Sequence, residues 1–543
     1  MKKKIVSIAL LTCMVVTLLA GCGNNGGTST ETESSATSSP EASAASYKKA
    51  GGAGEVVVGI AADPENMGPW SGMSQGRIAV LYSVYEYILT RVGGVAYGVL
   101  AKDWKQVDDK TYQVELYDYI HDTAGNELTA SDIVFSFETA IATNNYSKLQ
   151  PVESVKEIDD YKVEFVFSKK LEMGEFENIM LECAIVTQAA YEASPDQMAT
   201  NPVGTTAYAV TSYVPGSSLV LEDTGNYWQT DEYLVHGTSL HNIPKITFTV
   251  ITEASQMTVA LQTNSIDVSN GIPDTDVPKF SEGGEYADGN SVSRVYDNLT
   301  YNIEYNMSSD SVFENDLNLR LAIAYAIDKE GLNQGAFNGN GKAVKDFANA
   351  NYPDYVKEWD NQDYYDYNLD KAKQYMEASD YDGSTLRIMY ISSSVMDTVA
   401  QMVQAYLGQI GIQAELSGYD SMMFQSAQYD SASYDILLKN NGSTDYIVNQ
   451  WKLCWDARDF QSVTGGTANF VQDDKLQTLM ETALSINTYG EDSLKAFHDY
   501  LVEKCYGYGL VQGTINIVHS NYLTDVALDS RKQIIPGACT FAE

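Results

Sequence analysis

Histidine is scarce in this chain of 543 residues, which has only five. None repeats at i, i+4 and none stands near paired cysteines, so the sequence offers no zinc site and implies no metal or other cofactor. Cysteines number six, with no CxxC pair. Cys183, Cys454, Cys505 and Cys539 are widely spaced, and both two disulfides and four buried thiols are compatible with them. Positive charge is also short: 34 Lys and Arg face 73 Asp and Glu, for a net charge of −39. No basic patch stands out, which excludes nucleic acid and anionic lipid surfaces as partners. Catalytic motifs are missing too, with no GxSxG, HExxH or Walker A loop. Gly339-Asn340-Gly341-Lys342 has the look of a phosphate loop, but the earlier Gly is absent and Ala343 stands where Ser or Thr is needed, so it is read as a turn. The acidic pairs Asp159-Asp160 and Asp473-Asp474 are adjacent, hence on opposite faces of a strand or solvated in a turn. Neither is assigned to catalysis. Past the N-terminus no apolar run is long enough to cross a membrane, which excludes a channel or permease.

The N-terminus carries the most specific signal. Lys2, Lys3 and Lys4 precede an apolar run from Ile5 to Ala20. At about 16 residues it is shorter than the roughly 20 that span hydrocarbon, and it reads as a secretory signal over residues 1–21. Leu19-Ala20-Gly21-Cys22 resembles the lipobox of bacterial lipoproteins, which implies diacylglycerol on the Cys22 thiol. Two acyl chains, at roughly 0.8 kcal/mol per CH₂, give stable anchoring. Residues 22–53 are then the lipidated Cys and a tether. Past Cys22 they are mostly Gly, Ser, Thr, Ala, Glu and Asn, too polar to offset ordering entropy. Removing the signal takes away three lysines and no acids, moving the charge from −39 to near −42.

About 490 residues remain, more than one core organises, so two or three lobes are expected. Val56 to Ile60 reads as a strand, Ile78 to Leu89 as a helix, and Tyr112 to Leu116 as a half-buried strand. Thr129-Ala130-Ser131-Asp132 opens a helix, with the Thr129 hydroxyl as cap and Asp132 near the positive end. Leu386 to Ile391 is a strand. Val399, Met402, Val403, Tyr406, Leu407 and Ile410 then line one helix face, Gly411 stops the helix, and Ile412 to Leu416 alternates as a strand. Strand, helix, strand implies a parallel crossover and an α/β lobe. Tyrosines number 38, a side chain that suits a pocket holding varied groups, although most are expected in surface or core.

Several blocks are recognisable in order. They are Leu81 to Leu89 with Val99 to Trp104, His121-Asp122 through Leu128 to Ser136, and Asn201 to Tyr208 ending at Asn226-Tyr227-Trp228. Ala260-Leu261-Gln262 with Ile266-Asp267-Val268 comes next, then Asp316 through Arg320 to Lys329, and Tyr367 to Lys373. With these, residues 54–543 resemble the extracellular solute-binding proteins of family 5, which serve ABC importers. The resemblance implies an α/β chain with the type II periplasmic-binding-protein fold, two α/β lobes around a cleft plus an inserted third lobe. Lobe I takes residues 54–90, 201–297 and 516–543, lobe II 91–200 and lobe III 298–515, with two crossing segments as hinge.

In peptide-binding members of that family an Asp of lobe III pairs with the ligand ammonium, after a YD(I/L) strand. Here Tyr434-Asp435-Ile436 leads to Asn441-Gly442-Ser443-Thr444-Asp445, so Asp445 is the candidate anchor. Asn441 and Ser443 offer backbone groups to an extended ligand, and Gly442 and Thr444 share the segment. The Trp often found just before that Asp and the Pro after it are absent. Met73, Ser74 and Gln75 of the first-lobe loop, and Tyr301, are further candidate pocket residues. The implied partners are a peptide or other small solute and a cognate permease with its ATPase. The protein is expected to be a non-enzymatic monomer, lipid-anchored and facing outside the cytoplasm on a Gram-positive cell surface. Alternatives are an oligosaccharide stacked on Trp451 and Trp455, a nickel chelate, an anchored hydrolase or a sensory receptor.

Overall fold

The computed structural model describes residues 54–443, 445–459 and 468–542. The signal segment, Cys22, the tether and Thr444 lie outside the described residues.

Among those residues the largest sheet has eleven strands. In one half, Glu55–Ile60 pairs in parallel with Lys245–Val250 and touches Val268. Ser218–Asp223 and Tyr208–Val214 extend that half antiparallel. In the other half, Leu386–Ile391 lies parallel to both Ala414–Tyr419 and Ile436–Asn441. Two long antiparallel strands, Asn290–Tyr305 and Gly507–Ser520, run through both halves. The end of the first pairs with Ile436–Asn441, and the end of the second pairs with Val268–Ser269. Their mutual register breaks between Tyr296 and Thr300. Such an irregularity bends a strand pair, here at the point where the sheet passes from one lobe to the other.

A separate four-stranded antiparallel sheet is formed by Ala101–Asp108, Thr111–Leu116, Lys162–Phe167 and Val152–Asp159. Helix Ala130–Thr143 covers it. Its start is fixed by the Thr129 N–H, which donates to Asp132 Oδ2 at 2.8 Å. This inserted lobe shares one apolar core with the first half of the large sheet: Val114, Phe165 and Phe167 belong to the same cluster as Val56, Val58, Ile246 and Phe248. The second half builds its own core from Ile303, Tyr305, Ile388, Val399, Val403, Trp451 and others. Two α/β lobes and an insertion result.

The unit read from periodicity is present as strand Leu386–Ile391, helix Ser394–Gln409 and parallel strand Ala414–Tyr419. Gly411, at φ 84°, adopts the left-handed conformation that ends the helix. The expected helix from Ile78 to Leu89 is corrected. Helix Gln75–Leu81 stops early, and Leu89 already belongs to strand Leu89–Val92. The intervening Tyr82, Val84, Tyr85, Tyr87 and Ile88 are aromatic or β-branched, poor helix formers. Residues 83–88 are instead buried, with the Glu86 carboxylate taking bonds from Tyr227, Trp228 and Ser239.

The acidic pairs are structural. Asp159 ends a strand, and Asp473 caps helix Asp474–Leu484 through the N–H groups of Lys475 and Leu476. All four described cysteines are free and buried.

Candidate functional site

A cavity of about 120 Å³ lies where the lobes meet. Its lining comes from five places in the chain. Arg91 to Gly94 form the end of strand Leu89–Val92 and its turn. Asn298 stands at the register break of the crossing strands, and Asn349, Asn351, Tyr352, Pro353, Ser443 and Asp445 come from the chain between the two crossing strands. Leu528 to Lys532 lie on the C-terminal hairpin, closed by the Leu528–Ile534 bridge.

Asp445 is fully buried. Its Oδ2 accepts from Asn178 Nδ2 at 2.6 Å and Asn449 Nδ2 at 2.7 Å, and its Oδ1 from the Ser443 hydroxyl. All three donors are neutral, and among the described residues no Lys, Arg or His forms an ion pair with it. Asn178 sits on helix Glu175–Met180 of the inserted lobe, 267 residues away in sequence, so this bond joins lobes. Gly174, just before that helix, has φ 77°, and a Cβ there would lie 2.7 Å from Asp445 Oδ2. Both the conformation and the close approach demand glycine.

Two more carboxyls feel the Asp445 charge. Burial pushes Asp354 up to about 6, and the Asp445 charge adds to the rise, while bonds from Tyr489 and the Ile447 N–H oppose it. Burial also raises Glu177, opposed by Arg91 and aided by Asp445. Two cations, Arg91 and Lys532, also line the cavity. Arg91 Nη1 donates to Asn178 Oδ1 at 2.9 Å, and its Nε and Nη2 are buried without a hydrogen-bond partner. Asp529, beside Lys532, is pushed up to about 6 by burial.

Further contacts hold the lobes together around the cavity. The Met173 N–H donates to Leu484 O at 2.8 Å, and Asn449 Nδ2 to Met173 O at 3.1 Å. Glu172 pairs with Lys452 at 2.6 Å and Arg458 at 3.1 Å.

The segment singled out in the sequence divides. Ser443 lines the cavity, its N–H donating to Tyr352 Oη at 2.6 Å. Asn441 turns away: its Nδ2 donates to Glu304 Oε1 at 2.9 Å and contacts Cys454 Sγ at 3.1 Å. Gly442 packs against Asn298, where a Cβ would overlap the carbonyl, 2.8 Å from its carbon. That close approach explains why no large side chain stands there. Met73 and Ser74 are exposed, on a loop whose Trp70 O and Pro69 O accept from Asn145 and Tyr146, and neither lines the cavity. Gln75 opens helix Gln75–Leu81, and its side chain lies outside the described atoms. Tyr301 packs edge-on against Phe337, centroids 4.9 Å apart, also off the cavity. Trp451 and Trp455 are corrected from ligand platforms to core. Both are fully buried, with Trp451 stacked on Phe497 at 4.9 Å and Trp455 edge-on to Phe347 at 5.0 Å.

Sequence reasoning missed Arg91, Asn178, Asn449, Tyr352 and Lys532. One signal was available: Arg91 interrupts an apolar strand, Leu89-Thr90-Arg91-Val92, in a chain poor in cations.

Residues 96–459 match the family described as bacterial extracellular solute-binding proteins, family 5 Middle. The chain belongs to this family. Family 5 relatives include the dipeptide-binding protein of Escherichia coli, 24% identical over 59% of this chain and 63% of that protein. The oligopeptide-binding protein AppA of Bacillus subtilis is 22% identical over 70% of this chain and 73% of its own. The chain thus spans somewhat under two thirds of the first relative and more of the second. Among solved structures, the substrate-binding protein CtaP of Listeria monocytogenes superposes with TM-score 0.74 at 19% identity, over 90% of this chain and 99% of that one. HbpA2 of Haemophilus parasuis gives 0.75 at 16% identity, over 90% and 100%. The fold is accordingly the type II periplasmic-binding-protein fold of family 5, with two lobes and an insertion around a cleft, and the family is one of solute-binding proteins.

Proposed function

We propose that this family 5 protein is the substrate-binding lipoprotein of an ABC importer, capturing a peptide in the inter-lobe cavity and holding its ammonium on Asp445. One observation carries the reading: a fully buried carboxylate between lobes, bonded among the described residues to neutral donors. A buried charge is costly unless a counter-charge meets it. An ammonium supplies that charge and three donors, and charge-assisted bonds to a carboxylate are about twice as strong as neutral ones. The names of the dipeptide- and oligopeptide-binding relatives point the same way.

In this reading lobe I comprises residues 54–90, 201–297 and 516–543, lobe II 91–200 and lobe III 298–515, with the bend between Tyr296 and Thr300 as part of the hinge. Cys22 carries the lipid, residues 23–53 tether a monomer to the outer face of the membrane, and a permease with its ATPase receives the ligand.

A thermal-shift panel of free peptides, N-acetylated peptides and oligosaccharides tests the proposal. A ligand at 100 times its dissociation constant stabilises by about 2.7 kcal/mol. Free peptides should raise the melting temperature and acetylated ones should not. Stabilisation by sugars alone would contradict it.

A further inference from the structure

A second, smaller cavity of about 20 Å³ also reaches Arg91. Its lining includes the strand Leu89–Val92, Thr238 and the C-terminal hairpin from Asp529 to Arg531. Among the described residues none from 298 to 515 lines it, so Asp445 has no part in it. Two guanidiniums meet this space with donors unmet. Arg91 is 4% exposed, and its Nη1 donates to Asn178 Oδ1 at 2.9 Å, but its Nε and Nη2 are buried without a hydrogen-bond partner. Arg531 keeps its Nη1 buried and unbonded in the same way.

The groups around Arg531 do not fill that deficit. Its Cζ lies 4.8 Å from the centroid of the Tyr82 ring, which meets the face of the guanidinium and leaves its N–H edge open. Glu182 Oε2 stands 3.6 Å from Arg531 Nη2, too far for a hydrogen bond, and accepts instead from Lys148 at 3.2 Å. Asp529 is the acidic residue of the lining. Its Oδ1 is taken up by the backbone N–H groups of Arg531 and Gln533, at 2.9 and 2.8 Å, which close its own turn. Burial pulls the Arg531 guanidinium down to about 10.

Buried cations need a counter-charge, and unmet N–H donors add to the cost. A water would accept from these donors but bring no charge. A cavity holds one water-sized body at roughly 10–15 Å³, so this one admits a single atom-sized ion and is too small for a carboxylate or a phosphate. Thr90, Thr238 and Ser530, also in the lining, carry hydroxyls that rotate to donate. We propose that the cavity binds one monatomic anion of the halide class, such as chloride, between Arg91 and Arg531. The ion ties strand Leu89–Val92 to the C-terminal hairpin and steadies Arg91. It is a structural ligand, not cargo, and the inference stands apart from the peptide reading.

Bromide is the probe, because it scatters anomalously. The full mature chain, exchanged into sodium gluconate, is titrated with sodium bromide at constant ionic strength while its melting temperature is followed. Crystals grown in bromide are measured at the bromine edge. The expected results are a saturable rise in melting temperature and an anomalous peak within hydrogen-bond reach of both guanidiniums. Arg531→Gln should weaken bromide binding roughly ten- to hundredfold, as for loss of a bond to a charged group. Arg531→Lys keeps the charge, should retain part of the affinity, and serves if Arg531→Gln does not fold. The crystal measurement needs no variant. A cavity that holds only water in the bromide crystals, or a saturable rise that both variants leave unchanged, would overturn the assignment. So would a peak without any saturable rise in solution, which would mark an adventitious ion only.

Discussion

Replacing Asp445 by Asn isolates the charge from the shape. The side chain keeps its volume, but the carboxylate that accepts from Asn178, Asn449 and Ser443 becomes an amide with one acceptor. A ligand ammonium would lose one or two charge-assisted bonds at about 1.5–3 kcal/mol each. The expected loss is about 2–4 kcal/mol, a roughly thirty- to thousandfold weaker complex at 1.4 kcal/mol per tenfold. Folding should suffer less than this figure suggests. Removing the Asp445 charge also relieves Asp354 and Glu177, both of which its charge pushes upward. Isothermal titration with matched free and N-acetylated peptides reads the effect. The unaltered protein should prefer the free amine strongly, and Asp445→Asn should show little preference. An undiminished preference in Asp445→Asn, with the fold intact by circular dichroism, would refute the assignment.

Other outcomes follow from the same geometry. Affinity for a free-amine peptide should fall by up to about tenfold per pH unit below about 6, because a bound cation favours ionised Asp354 and binding then releases a proton; calorimetry in buffers of different ionisation heat measures that proton. Stability from this group runs the opposite way: between 3.8 and about 6 the native state holds a proton the unfolded chain has lost, so its contribution is present at low pH and is lost as pH rises through 6. Gly442→Ala forces a Cβ against the Asn298 carbonyl and should cost about 1–3 kcal/mol in denaturant unfolding. Glu172→Gln removes the pairing to Lys452 and Arg458 across the lobes, and should weaken ligand binding by up to about fivefold with small effect on melting. Trp451→Ala should destabilise the core it shares with Ile303, Ile388 and Phe497 by about 3–5 kcal/mol without creating or abolishing sugar binding, as expected of a core residue.

Much of the fold was legible because its signals are local. The stripe from Val399 to Ile410 and the stop at Gly411 need only neighbouring residues, and they describe the helix Ser394–Gln409 that forms. The segment after Leu81 was misread because its apolar residues fit a helix face, while turns at 82–84 and burial around Glu86 lead them into strand Leu89–Val92. The cavity is the opposite case. Asp445 is recognisable from its segment, but its partner Asn178 is 267 residues away, and Arg91 reaches Asn178 across 87. No spacing rule connects such positions. The tryptophans misled for a related reason: Trp451 and Trp455 are large enough to serve as platforms, and only three-dimensional packing shows them enclosed.

The central claim is that an intact peptide occupies the cavity with its free amine on Asp445. Native mass spectrometry of the mature protein purified gently from its own cells measures this directly. The account predicts a mass increment equal to a short unmodified peptide, released on unfolding and absent from Asp445→Asn. An increment belonging to a sugar or a metal chelate, or the same peptide retained undiminished by Asp445→Asn, would contradict it.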